Sequence, residues 1–170
     1  PGCYSASTHP HSAASLVKPS EIAEWLLSIP NIEGVTFSGG EPFEQSAAVL
    51  ETIKLVRKKR PTFTVFAFSG HPYQELLLST DREVTELLHY CDMLSTGPFV
   101  AKLRDKSLLW RGSSNQELHY LTNVYESSME EQWILKSPIE EYSVQNEGIQ
   151  FTGFGGKSSQ VLRMATELIG

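Results

Sequence analysis

Two stretches of the chain carry residue types that can hold a reactive group. Near its start, Pro1-Gly2-Cys3-Tyr4 sets a thiol after a turn-forming pair and before a polar run from Ser5 to Ser12, with little apolar sequence to bury it. Taken alone, Cys3 is a nucleophile or a surface thiol. Further on, Ser38-Gly39-Gly40-Glu41-Pro42 follows the apolar run Gly34-Val35-Thr36-Phe37. A glycine pair at the end of a strand lets backbone approach a ligand where a Cβ would block it. Glu41 puts a carboxylate at that spot, and Pro42 fixes the exit into a helix. Ser69-Gly70 and Thr96-Gly97 are turns of the same kind after two later apolar runs.

The elements that must position these turns alternate. Apolar spacing predicts a helix over 19–29, opened by Pro19 and stopped by Pro30, then a buried strand over 35–37. A helix over 44–60 has Ala47, Leu50, Ile53 and Val56 as its inner stripe. Residues 62–68 are β-branched and aromatic and read as a strand. Short helices over 73–78 and 82–90 precede a strand over 92–95. Strands alternating with helices predict a parallel sheet joined by right-handed crossovers, an α/β layered sheet or partial β/α barrel. Ligands collect at the C-terminal ends of such strands, where all three turns lie. The pattern then changes. Residues 131–135 and 142–145 read as strands, 146–148 as a hairpin turn and 149–152 as its second arm. Residues 153–156 are a loop, and 158–169 a closing helix capped by Ser158 or Ser159. This divides one domain into a core, 1–121, and an extension, 122–170.

Composition sets limits. A chain of 170 residues with 40% apolar and 20% charged content is long enough to bury a core and has the make-up of a soluble globular protein. Its net charge of −6 argues against a nucleic-acid partner, and no apolar run is long enough to cross a bilayer. The two cysteines, Cys3 and Cys91, lie far apart and make no secreted disulfide framework, which points to the cytoplasm. The chain has no initiator Met and no signal peptide, and because it starts in a turn it reads as a fragment.

Other reactive types have ordinary readings. Cys91, between a helix and a strand, reads as a small buried hydrophobe. Arg57-Lys58-Lys59-Arg60 is an anion patch or a set of cations at a helix C-terminus, the second being preferred. His9 and His11 flank Pro10 on a polar loop and read as solvated, although their spacing also admits a metal pair. His71 and His119 have no ligand spacing. Asp92 is a cofactor contact or a turn residue. In Leu108-Leu109-Trp110-Arg111-Gly112-Ser113-Ser114-Asn115-Gln116, the pairs Ser114/Glu117 and Ser113/Gln116 have capping-box spacing and read as a helix start. That reading leaves Arg111 beside Trp110 unexplained.

The strand, Gly-Gly-Glu-Pro turn and helix resemble the S-adenosylmethionine-binding loop of the radical SAM family, and Cys3 resembles the last cysteine of that family's C-x3-C-x2-C motif. Pro1 to Tyr4, Gly97-Pro98-Phe99-Val100, Leu103-Arg104-Asp105 and the 108–116 segment are similar to the activases of anaerobic ribonucleotide reductase, over 1–121. The resemblance implies a 4Fe–4S cluster on three cysteines, of which Cys3 is the third, the other two lying before Pro1 with the first strand. The fragment alone is therefore expected to be inactive. The resemblance further implies S-adenosylmethionine bound at the open iron, its methionyl amine received by Ser38, Gly39, Gly40 and Glu41. Glu41 would be the ammonium's charge partner, and Ser69 and Gly70 a weaker contact. An electron from a donor such as flavodoxin or ferredoxin would cleave the sulfonium, and the 5′-deoxyadenosyl radical would take a hydrogen atom from a backbone glycine of a glycyl radical enzyme. The alternatives are a radical SAM protein with another substrate, since 122–170 departs from the pattern, and a non-catalytic domain that binds S-adenosylmethionine or a partner.

Overall fold

A computed structural model describes residues 16–105, 107–136, 140–145 and 148–153. The chain divides into two compact units, Pro1–Ser127 and Ser128–Gly170.

In the first unit, α1 (Pro19–Ser28) opens with Pro19 in its first turn, and the Glu21 carboxylate accepts from the Lys18 amide. β1 (Gly34–Phe37) runs into the 38–41 loop, and a 3₁₀ turn (Pro42–Gln45) leads into α2 (Ser46–Arg57). The helix expected over 44–60 thus starts with a tighter turn and ends earlier. Glu41 caps that turn and Pro42 begins it, so the first residues follow the cap's geometry before the α spacing takes over. After β2 (Thr64–Phe68) come α3 (Tyr73–Leu77), α4 (Arg82–Tyr90) and β3 (Met93–Thr96). Asp81 caps α4, its Oδ1 accepting from the amides of Glu83 and Val84. A 3₁₀ turn (Ala101–Leu103) and an irregular segment then lead to β4 (Glu117–Tyr120).

The sheet has the order β1-β2-β3-β4. β1 and β2 pair in parallel, as do β2 and β3, whereas β4 runs antiparallel to β3. It is a mixed α/β sheet, mostly parallel, with flanking helices. The helix start expected near 114–117 is a correction: Gln116 ends a turn, and the next four residues extend as β4. Half of the box forms, because the Gln116 side chain accepts from the Ser113 amide and the Gln116 amide donates to the Ser113 carbonyl. The next residues then take their bonds from β3 across the sheet, which overrides a local cap.

Side chains alternate across the strands. Val65, Ala67 and Leu94 point to the helices and join Ile53, Leu76, Leu87 and Leu88 in the main core, with Val35 and Phe37 packed against it. A second cluster, Ala23, Leu26, Val56 and Phe63, holds α1 to α2. Phe66 and Phe68 point to the other face of the sheet. Phe66 packs edge-on to Trp110 at 6.1 Å, and the two phenylalanines lie 4.6 Å apart.

The opposite, N-terminal ends of the strands are bound by Asp92. Its Oδ2 accepts from Arg57 at 2.7 Å and from the Val65 amide at 2.8 Å, and its Oδ1 accepts from Thr122 at 2.9 Å. Arg60 donates to the carbonyls of Leu27 and Ile29 and so closes the end of α1. Two members of the basic cluster are therefore structural, though they serve a neighbouring strand and helix and not their own helix end.

The second unit contains α5 (Ser128–Lys136) and an antiparallel hairpin, β5 (Glu140–Gln145) and β6 (Gly148–Gly153). The hairpin is the expected one. Residues 131–135 are helical and not a strand, because Ser128 to Gln132 supply good helix formers and acids in the first turn. The helix expected over 158–169 lies outside the described residues.

Candidate functional site at the C-terminal edge of the sheet

Three loops leave the C-terminal ends of the parallel strands side by side. The first is Ser38, Gly39 and Gly40, all exposed. Gly39 has φ +75° and Gly40 φ +58°, both in the left-handed region where a side chain is costly. A Cβ on Gly39 would meet nothing within 4 Å, so the loop borders open space. The second loop begins at Ser69, which is buried. Its amide donates to the Ser95 carbonyl at 2.8 Å, and its hydroxyl accepts from the His71 amide at 3.1 Å. The Gly70 amide donates to Glu41 Oε2 at 2.7 Å, while Glu41 Oε1 accepts from Phe43 at 3.1 Å. The third loop begins at Gly97, whose amide donates to the His71 carbonyl at 3.0 Å.

Of the residues singled out in the sequence, Ser38, Gly39, Gly40, Glu41, Ser69 and Gly70 thus come together at one edge. Cys3, His9 and His11 lie outside the described residues. Asp92 sits at the far end of β3, which removes it as a cofactor contact. Cys91 is fully buried, and burial, then the neighbouring Asp92 charge, pushes its thiol up to about 12. It is neither nucleophile nor ligand at neutral pH. Among the described residues, no group of three or more His, Cys, Asp or Glu side chains is arranged to hold a metal ion. No described helix is long and apolar enough to cross a membrane.

Gln116, expected only as a helix-capping partner of Ser113, ties the third loop together. Its Oε1 accepts from the amides of Gly112 (2.7 Å) and Ser113 (3.2 Å), and its Nε2 donates to the Gly97 carbonyl at 2.9 Å. Asn115 donates to the Pro98 carbonyl at 2.8 Å. The cluster of donors in 108–116 folds the segment back over the third loop. It also sets Trp110, at φ +54°, with its carbonyl accepting from Ser95 Oγ at 2.7 Å. The Ser-x-x-Gln spacing was a signal for this turn and was read as a helix start.

His119 was passed over as a lone histidine. It stacks on Tyr73 at 4.0 Å, and its Nε2 lies 2.9 Å from Thr96 Oγ1 and 3.4 Å from Glu117. Burial lowers its pKa against the opposing pull of Glu117, which keeps the ring neutral near pH 7. It opposes Leu94 in the register and so belongs to the helix-covered face.

Residues 1–119 match a family described as a 4Fe-4S single cluster domain. The chain is similar to anaerobic ribonucleoside-triphosphate reductase-activating proteins. With that of Escherichia coli K12 it is 31% identical over 129 residues, covering 71% of this chain and 80% of the relative. With that of Vibrio cholerae it is 31% identical over 127 residues (71% and 79%), and with that of Haemophilus influenzae 28% over 124 residues (69% and 77%). No solved structure matches.

Proposed function

The chain belongs to the family of anaerobic ribonucleoside-triphosphate reductase-activating proteins and carries their 4Fe-4S single cluster domain, and from this we propose that it is a radical SAM activase. In this reading it is a cytoplasmic oxidoreductase whose partner is a glycyl radical enzyme, an anaerobic ribonucleotide reductase, with flavodoxin or ferredoxin as electron donor. Its sheet is part of a partial β/α barrel. A 4Fe–4S cluster with S-adenosylmethionine supplies, on reduction, a radical able to take a hydrogen atom from a glycine of that partner.

This chain's residues have stated tasks. Cys3 ligates the cluster. The backbone of Ser38, Gly39 and Gly40 receives the methionyl end of the cofactor, with Ser69 and Gly70 beside it. The fit is that of a cradle: two adjacent exposed glycines in the left-handed region, with open space where a Cβ on Gly39 would stand and only the Gln45 side chain, at 3.6 Å, near one on Gly40. Phe66, Phe68 and Trp110 form an aromatic cluster on the face of the sheet opposite the main core, suited to keeping water from a reactive intermediate. The observation that carries the reading is that Glu41, next to this glycine pair, bonds the Gly70 amide and so sets the pair beside the Ser69-Gly70 turn, within the region matched to a cluster domain.

Gly40→Val tests it. A β-branched side chain at φ +58° is strained and narrows the cradle, so affinity for S-adenosylmethionine should fall by more than about tenfold, or about 1.4 kcal/mol. Calorimetry on the reconstituted full-length protein reads this. Unchanged affinity in a folded Gly40→Val protein removes the site.

A further inference from the structure

Glu41 is not free above its loop. Both carboxylate oxygens accept from backbone amides, one from Phe43 within its own turn and one from Gly70 in the next loop. From Gly70 the links continue across the edge. The His71 carbonyl takes the Gly97 amide, the Gly97 carbonyl takes the Gln116 amide group, and Gln116 in turn holds Gly112 and Ser113. The loops form a hydrogen-bonded row, and the side chains of Glu41 and Gln116 make its two end links.

We propose that Glu41 is a positioning residue: its carboxylate clasps the Gly39–Gly40 loop to Gly70 and sets the spacing of the two loops, instead of meeting the cofactor's ammonium itself. This rests on the reading of the edge as the S-adenosylmethionine site. A loop built on two glycines has wide conformational freedom and no preferred distance from its neighbour. A charged acceptor fixed at both oxygens supplies that distance, since bonds to an ionised carboxylate are short and strong. Gly70 is compatible with this role without being required by it. A Cβ there would stand 3.6 Å from Glu41 Oε2, an ordinary contact, so Gly70→Ala should keep the clasp.

Glu41→Gln keeps the size of the side chain but turns one acceptor into a donor that faces an amide donor. Hydrogen–deuterium exchange on the full-length protein reads the clasp directly. In Glu41→Gln the Gly70 amide should exchange at least about tenfold faster, with the core amides of Val65 and Leu94 unchanged, while Gly70→Ala leaves the exchange at position 70 as in the wild type. On the reconstituted protein, Glu41→Gln should weaken S-adenosylmethionine and an analogue lacking the α-amino group by the same factor, at least about tenfold. Three results overturn the proposal: unchanged exchange at Gly70, faster exchange spread to the core, or a loss confined to the amine-bearing cofactor. If the wild-type protein binds no S-adenosylmethionine, the functional reading fails, and the exchange result still decides whether the clasp exists.

Discussion

At the scale of single residues, burial decides which groups react. Cys91 is enclosed beside Asp92, and its thiol is pushed from 9.0 to about 12. The unfolded chain ionises this thiol first. The protonated thiol thus adds stability that is whole below about pH 9 and is lost as pH rises toward about 12. At pH 8 a thiol reagent should leave Cys91 unmodified in the folded protein and label it quantitatively in urea; fast labelling of the native protein would mean that the site is open. The site glycines could be singled out in the sequence because positive φ and close approach favour one residue type. For Gln116 the spacing to Ser113 was legible, but its bond to the Gly97 carbonyl was not, because Gly97 lies 19 residues away and is brought near only by folding.

At the scale of elements, the β-α alternation was readable wherever one periodicity held over many residues. The three parallel strands and four α-helices among the described residues of the first unit follow it. It failed at β4 and at 131–135, where short segments carry mixed signals. The first was settled by pairing with β3 and the second by helix propensity. Asp92 shows how elements are tied away from the site. It joins α2, β2 and the segment after β4 through Arg57, Val65 and Thr122. Asp92→Ala leaves the Arg57 guanidinium without its carboxylate, and should cost about 3 kcal/mol of stability. A urea midpoint shifted by less than a third of that would show the pair to be dispensable. The 108–116 segment has a different task. Arg111 follows Trp110, and its Nε donates to the Leu109 carbonyl at 3.3 Å, within the segment. If the segment docks the partner, Arg111→Ala should leave uncoupled cleavage of S-adenosylmethionine intact and lower the glycyl radical yield. A joint fall of both with thermal stability would make Arg111 a packing residue.

At the scale of the whole molecule, the two ends of the sheet are divided between tasks. The N-terminal ends are tied by the part-buried Arg57–Asp92 pair, and the C-terminal ends carry hydrogen-bonded loops that border open space at Gly39. Ligands of open α/β sheets collect at the C-terminal ends of the strands, which supports our reading of this edge as a small-molecule site independently of any relative. The family supports the chemistry we propose for it. The most direct measurement is electron paramagnetic resonance of an anaerobic ribonucleoside-triphosphate reductase mixed with the reconstituted, reduced full-length protein and S-adenosylmethionine. The expected result is a glycyl radical doublet on the reductase, formed together with 5′-deoxyadenosine and absent without the cofactor. A protein with its cluster intact that binds S-adenosylmethionine yet yields neither radical nor 5′-deoxyadenosine would contradict the assignment.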